Sequence, residues 1–262
     1  MLFINDSDSL PVGNNGIPLL PRRTEFGKCE VAAPIPVEFI IPRDEWDERI
    51  ADKNAAGNWL FPTWSGDVPC MDQNGLGYCH AYCTVMAAMV QAKKQNHPPV
   101  MLSAESIGGP ITNWRNRGAH PEDDLEQMVK YGACPADMMD REHSISPSRW
   151  ASGWETERKK FRVVEFWDGQ MPGYSTFDIA ASFALLNIPY ASGHAWWGHA
   201  IAGGFGLRKE SNGTYSLMKR NSWGPSYGQD GFFWLASALP KRWRTRSCPW
   251  AVRRPRATAW RS

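Results

Sequence analysis

The sequence predicts an α+β fold, with helices gathered in the first half of the chain and strands in the second. Three observations carry this. Residues 79–94, CHAYCTVMAAMVQAKK, repeat apolar residues at helical spacing, with Ala81, Val85, Ala88 and Met89 on one side. Two further helix starts follow before residue 131. Beyond residue 160 the pattern changes to a short run of aromatic and β-branched residues, FRVVEFW at 161–167. The 262 residues suffice for one large domain or two small subdomains with a real core. No apolar run reaches the ~18 residues of a membrane span, so no membrane role is expected.

Taken in order, residues 1–34 are rich in Gly, Pro, Asn and Asp without periodicity and read as an extended N-terminal arm. The opening MLFINDSDSLPVG lacks the basic start and long apolar core of a secretory signal. The run QNGLGY at 73–78 is turn-prone, and Gly75 and Gly77 let the backbone turn tightly before the long helix begins at Cys79. Lys93 and Lys94, then His97-Pro98-Pro99, mark its end. Leu102-Ser103 with Glu105 reads as the cap and first turn of a second helix. Pro121 followed by Glu122, Asp123 and Asp124 starts a third, running to about Tyr131 and stopped by Gly132, with Leu125, Met128 and Val129 inward. FRVVEFW at 161–167 reads as a strand and 177–187 as a short apolar helix.

A cysteine at a helix N-terminus meets unpaired N–H groups and the positive end of the macrodipole, so Cys79 is expected to ionise more easily than a free thiol. Alone it reads as a small apolar residue packed at a helix start. Two distant stretches favour reactivity: GHAIAGGFG at 198–206 and KRNSWGPSYGQDGFFWL at 219–235. With residues 73–89 they resemble the papain-like cysteine peptidases in order and local spacing. Gln73 precedes Cys79 with five residues between; His199 opens an apolar strand ending Gly204-Phe205-Gly206; Asn221-Ser222-Trp223-Gly224 is followed by Tyr227-Gly228 and Gly231-Phe232.

The resemblance covers about 35–240 and implies a papain-like α+β fold. A helical half, about 70–150, would carry Cys79, an antiparallel β-barrel-like half, about 151–240, would carry His199 and Asn221, and the cleft would lie between them. It implies thiol-dependent hydrolysis of a peptide or protein substrate. Cys79 would be the nucleophile, His199 the base and acid, and Asn221 the group orienting the imidazole. Gln73 and the Cys79 N–H would hold the oxyanion. Gly77, Gly118, Ala200 and Trp223 would line the substrate cleft, with Trp223 shielding the His–Asn bond. His194 competes with His199 for its role, but only His199 opens the strand pattern. No cofactor or metal is implied, and the alternative of zinc at Cys79, His80 and Cys83 lacks a second ligand pair. Other amide chemistry, such as peptidoglycan cleavage or acyl transfer, and a non-proteolytic papain-like binding module remain alternatives.

Four departures stand out. Leu76 replaces the bridged cysteine of secreted relatives, which with the missing signal points to reduced thiols in a cytoplasm, in a viral or bacterial setting. His80 stands where the family has Trp, and Arg117 where it has Gly. The stretch before His199, residues 188–198, is short. Of the remaining cysteines, Cys83 reads as core and Cys70 as idle or a redox partner. Residues 241–262 form a tail with eight basic side chains, no acid, and Trp243, Trp250 and Trp260. It suits an acidic partner or nucleic acid, or else a solvated tail or one folded back on the acidic body.

Overall fold

The computed structural model describes residues 2–5, 32–33, 35–63, 68–164, 166–169, 171–194 and 196–237. Most of the expected N-terminal arm, the whole basic tail, Cys29 and Cys248 lie outside them. The elements run β1 (Leu2–Asn5), β2 (Ala32–Ala33), α1 (Trp46–Ala56), α2 (Leu60–Thr63), α3 (Cys79–Lys94), α4 (Glu105–Thr112), α5 (Pro121–Lys130), α6 (Trp154–Glu157), β3 (Phe166–Asp168), α7 (Thr176–Leu185), β4 (Tyr190–His194), β5 (His199–Lys209), β6 (Tyr215–Arg220) and β7 (Phe232–Ala236).

The molecule is built around α3. Every residue from Cys79 to Val90 is buried. A helix apolar on all sides has to be enclosed on all sides. On one flank Val85, Met86 and Met89 share a core with Leu102, Ile107 and Met128 of the helical half; on the other that core continues into Ala191, Ala200, Ala202 and Phe205 of the sheet. Each such Val or Met withdrawn from water contributes about 1.5–3 kcal/mol. α5 supplies its inward face as the sequence predicts, with Leu125, Met128 and Val129 buried, and Gly132 at φ +79° ends it.

The strands form one sheet in the order β2-β3-β1-β4-β5-β6-β7. β4 to β7 are antiparallel, whereas β1 lies parallel to both β3 and β4. The order is open, and no β2–β7 pairing closes it among the described residues, so the barrel-like detail expected from the resemblance is not seen. Successive strand residues face opposite ways. Ala191 and Met218 therefore join the α3 core, while their neighbours Tyr190 and Leu217 join a second core made with Trp46 and Ile50 of α1 and with Ile179 and Phe183 of α7. The sheet is thus covered by α3 on one face and by α1 and α7 on the other.

The pairing of β5 with β6 shifts between Ala202 and Gly206. Gly204, at φ +96°, makes this bulge possible, because a Cβ there would lie 2.2 Å from the Ile188 carbonyl oxygen. Residues 161–164 do not join the sheet as the sequence suggests. The Phe161 carbonyl instead accepts from the Ala133 N–H, tying this stretch to the end of α5, and the strand is only Phe166–Asp168.

Candidate active site

Two segments on either side of the molecule are laced together at the start of α3. The Gln73 N–H donates to the Ser222 carbonyl at 2.9 Å, Asp72 pairs with Trp223 as a β-bridge, and the Ser222 hydroxyl donates to Gln73 Oε1 at 2.7 Å. Gln73 Nε2 donates one hydrogen to the Leu76 carbonyl at 2.6 Å. The loop between is clamped from the helical half: the Gly77 N–H donates to Asn116 Oδ1 at 2.7 Å, and Asn116 Nδ2 donates to the Gly75 carbonyl at 3.4 Å. Tyr78 precedes the first turn and makes no side-chain cap; its hydroxyl instead pairs with Thr112 Oγ1 at 2.6 Å. Burial pushes that hydroxyl up to about 12, opposed first by the Thr112 bond and least by the charge of Arg117.

β5 and the turn after β6 bring the other groups. His199 Nε2 donates to Asn221 Oδ1 at 2.7 Å, and the Ser222 N–H donates to the same oxygen at 2.8 Å. Two donors on one atom fix the amide's orientation and leave the imidazole proton on Nε2. His199 Nδ1 then carries the lone pair, and no group among the described residues bonds it. Trp223 stacks on the imidazole with centroids 4.8 Å apart and planes 27° apart. Trp197, which that reading did not single out, closes the ring's other approach edge-on at 4.9 Å. Its signal was the aromatic pair Trp196-Trp197 immediately before Gly198.

Cys79 sits at the first position of α3, and Ala200, next to His199 in β5, shares its buried core. Thiol and imidazole are both almost wholly enclosed, at 8% and 3% exposure. Burial pushes the thiol up to about 11, against the amides of Ala200, His80 and Cys79 itself, while Asp124 adds to the rise. Burial likewise pushes His199 down to about 4, with the Asn221 bond opposing and His194 reinforcing. Burial thus opposes the easy ionisation expected of Cys79, desolvation outweighing the helix N-terminus for the thiol titrated alone.

The remaining residues fall as follows. Gly77 and Gly118 are buried on the clamp side and Ala200 on the sheet side. His194 pairs with His199 across β4 and β5 and meets the Ser192 hydroxyl at 3.1 Å, away from Asn221. Cys83, one turn on, donates to the His80 carbonyl at 3.1 Å inside the core. Cys70 lies beneath the site, its thiol 3.5 Å from the Asn221 carbonyl and pushed up to about 11 by burial. All four described cysteines, 70, 79, 83 and 134, are free. His80 points away from the cleft: its Nδ1 meets Asp124 Oδ2 of α5 at 2.6 Å, both side chains wholly enclosed. Burial raises the Asp124 carboxyl to about 6 against the pull of His80. Among the described residues no three His, Cys, Asp or Glu side chains gather to hold a metal ion, and no helix is long and apolar enough to cross a membrane.

No protein-family model matches the sequence, and no curated protein matches it significantly. Solved structures do match. Xylellain, a cysteine protease from Xylella fastidiosa, superposes with a TM-score of 0.59 at 15% identity, over 87% of this chain and 92% of that one. Digestive procathepsin L 3 of Tenebrio molitor larval midgut gives 0.52 at 14%, over 66% and 62%. Recombinant stem bromelain precursor gives 0.50 at 14%, over 81% and 70%. The chain has the papain-like cysteine-protease fold.

Proposed function

We propose that this chain, on its papain-like fold, is a cysteine peptidase that hydrolyses peptide bonds through Cys79, His199 and Asn221. The observation that carries the proposal is the Asn221–His199 pair. It fixes a buried imidazole with its lone pair on Nδ1, and Ala200, next to that imidazole in β5, shares the α3 core with Cys79.

Proton transfer from the Cys79 thiol to His199 Nδ1 creates no net charge. The pair ionises as a unit, each ion supplying the opposite charge that the other lacks when titrated alone. The thiolate then attacks the peptide carbonyl. The Cys79 N–H and the second hydrogen of Gln73 Nε2 receive the oxyanion, the first being taken by Leu76. The imidazolium protonates the leaving amine, and the neutral imidazole then takes a proton from the water that releases the acyl group. Asn221 holds the ring's tautomer throughout, and Trp223 and Trp197 keep water from the Nε2–Oδ1 bond. The substrate would lie against Gly77, Gly118, Ala200 and Trp223.

A second reading, a papain-like module used only for binding, has one observation in its favour: the thiol and the imidazole are almost wholly enclosed. A thiol-reactive peptide epoxide separates the two. The peptidase reading expects one label per chain, at Cys79, together with cleavage of an unfolded protein substrate. Neither label nor cleavage would leave the binding module standing.

A further inference from the structure

Three of the described arginines are not exposed at the surface. Two are held by the fold. Arg158 donates from Nε to the Gly132 carbonyl and lies over the Tyr131 and Trp154 rings. Arg220 donates to Asp230 and to the Val68 carbonyl. The third, Arg117, has no such support. Its Nε is buried without a hydrogen-bond partner among the described residues. A donor buried without an acceptor costs free energy, which an acceptor brought by a ligand would recover.

Its place in the fold says which ligand. Arg117 follows Asn116, whose amide holds both Gly75 and Gly77 of the loop leading into Cys79. Its own N–H turns back to the Arg115 carbonyl at 2.9 Å, and the buried Gly118 comes next. Arg117 thus belongs to the segment that clamps the active-site loop. A guanidinium offers two parallel N–H donors that match a carboxylate's two oxygens, which an amide or an ammonium does less well.

We infer that Arg117 is a specificity residue that pairs with an Asp or Glu side chain of the peptide bound beside Cys79, so that acidic sequences near the scissile bond are the preferred substrate class. The inference rests on the peptidase reading for its chemistry but not for its recognition step. A charge-assisted pair of this kind favours the acidic peptide by about 10- to 100-fold over its amide counterpart. The preference weakens as salt is added, because the pair is partly open to solvent.

Two measurements test this together. Fluorogenic peptides carrying Glu, Gln or Lys in turn at each of three positions on either side of the scissile bond are cleaved by the intact chain, by Arg117→Gln and by Arg117→Lys. In parallel, fluorescence anisotropy follows binding of the same Glu and Gln peptides to Cys79→Ala, with and without Arg117→Gln. The expected result is one position at which Glu exceeds Gln by tenfold or more. That ratio falls to near one in Arg117→Gln and recovers in part in Arg117→Lys, with the same pattern in binding. Equal Glu and Gln at every position, or a Glu preference that survives Arg117→Gln, overturns the inference. If no peptide is cleaved, the binding ratio still decides it, and it is the peptidase reading that fails.

Discussion

Replacing Asp124 with asparagine should unmask a pH dependence of stability that the intact protein conceals. Two wholly enclosed groups titrate between pH 4 and 6.5 with opposite effects. Asp124 is raised from 3.8 to about 6, so the native state binds its proton more tightly than the unfolded chain does. Its contribution is present below pH 3.8 and is lost as pH rises through 6, about 3 kcal/mol in all at 1.36 kcal/mol per unit. His199 is lowered from 6.5 to about 4, so the native state sheds a proton that the unfolded chain keeps. Its contribution runs the other way: stability rises by about 3 kcal/mol as pH climbs from 4 through 6.5. The two offset, and the wild type should be nearly flat in this window apart from its surface carboxylates. In Asp124→Asn the His80 ring keeps an amide oxygen as acceptor but the falling limb disappears. Stability should then rise by about 3 kcal/mol from pH 4 to 7. His199→Gln should show the mirror image, a fall of similar size. Urea unfolding of the three proteins at pH 4, 5, 6 and 7 measures this, and the carboxylates common to all three cancel in the differences. Parallel curves for wild type and Asp124→Asn would refute the reasoning.

Other outcomes follow from the same geometry. Cys79→Ala should abolish hydrolysis with little change in stability, whereas Cys83→Ala should keep most of the activity; equal losses in a peptide assay would undo the assignment of the nucleophile. Asn221→Ala leaves the His199 Nε2–H and the Ser222 N–H buried without an acceptor, about 1–3 kcal/mol each. It should lower both the urea midpoint and kcat, and the kcat loss should exceed any rise in KM. Gly204→Ala, with Cβ driven 2.2 Å from the Ile188 carbonyl at φ +96°, should cost roughly 2–4 kcal/mol in unfolding experiments; a neutral result would mean that the bulge can relax. His80→Trp should overpack the enclosed space between α3 and α5 and destabilise by about 1–3 kcal/mol. The acidic limb of its rate profile should stay in place, since residue 80 faces Asp124 rather than the cleft.

Much of the site was legible because it is written in local motifs. The Gly-rich run before Cys79, the His199 strand and the Asn221-Ser222-Trp223 turn each carry their own short-range signal, and α3 and α5 begin where glycine and proline place them. What sequence could not supply is orientation. Residue 80 neighbours the nucleophile in the chain, but one step along a helix turns a side chain by about 100°, and His80 ends against α5. The sign of the thiol's shift was likewise hidden, because it depends on how completely the fold encloses Cys79. The helix α1 was passed over although Gly57 caps it and Glu, Asp and Lys fill it. Only Trp46 and Ile50 are buried, too sparse an apolar pattern to stand out. β4 was missed because its small residues, Ala191 to Gly193, carry little strand preference; pairing with β5 makes it a strand.

The place of β1 in the sheet orders the assembly of the whole molecule. The strand nearest the N-terminus lies between β3 and β4, and its partners, Trp167 and Asp168 on one side and Tyr190 to Gly193 on the other, are more than 160 residues downstream. On a ribosome delivering the chain from its N-terminus, Leu2–Asn5 emerge before either partner and wait for β3 and then β4. β2 waits for β3 in the same way. The hairpins β4-β5-β6-β7 close over short distances and can form among themselves, so the edge carrying β2 and β3 is the last part of the sheet to be fastened.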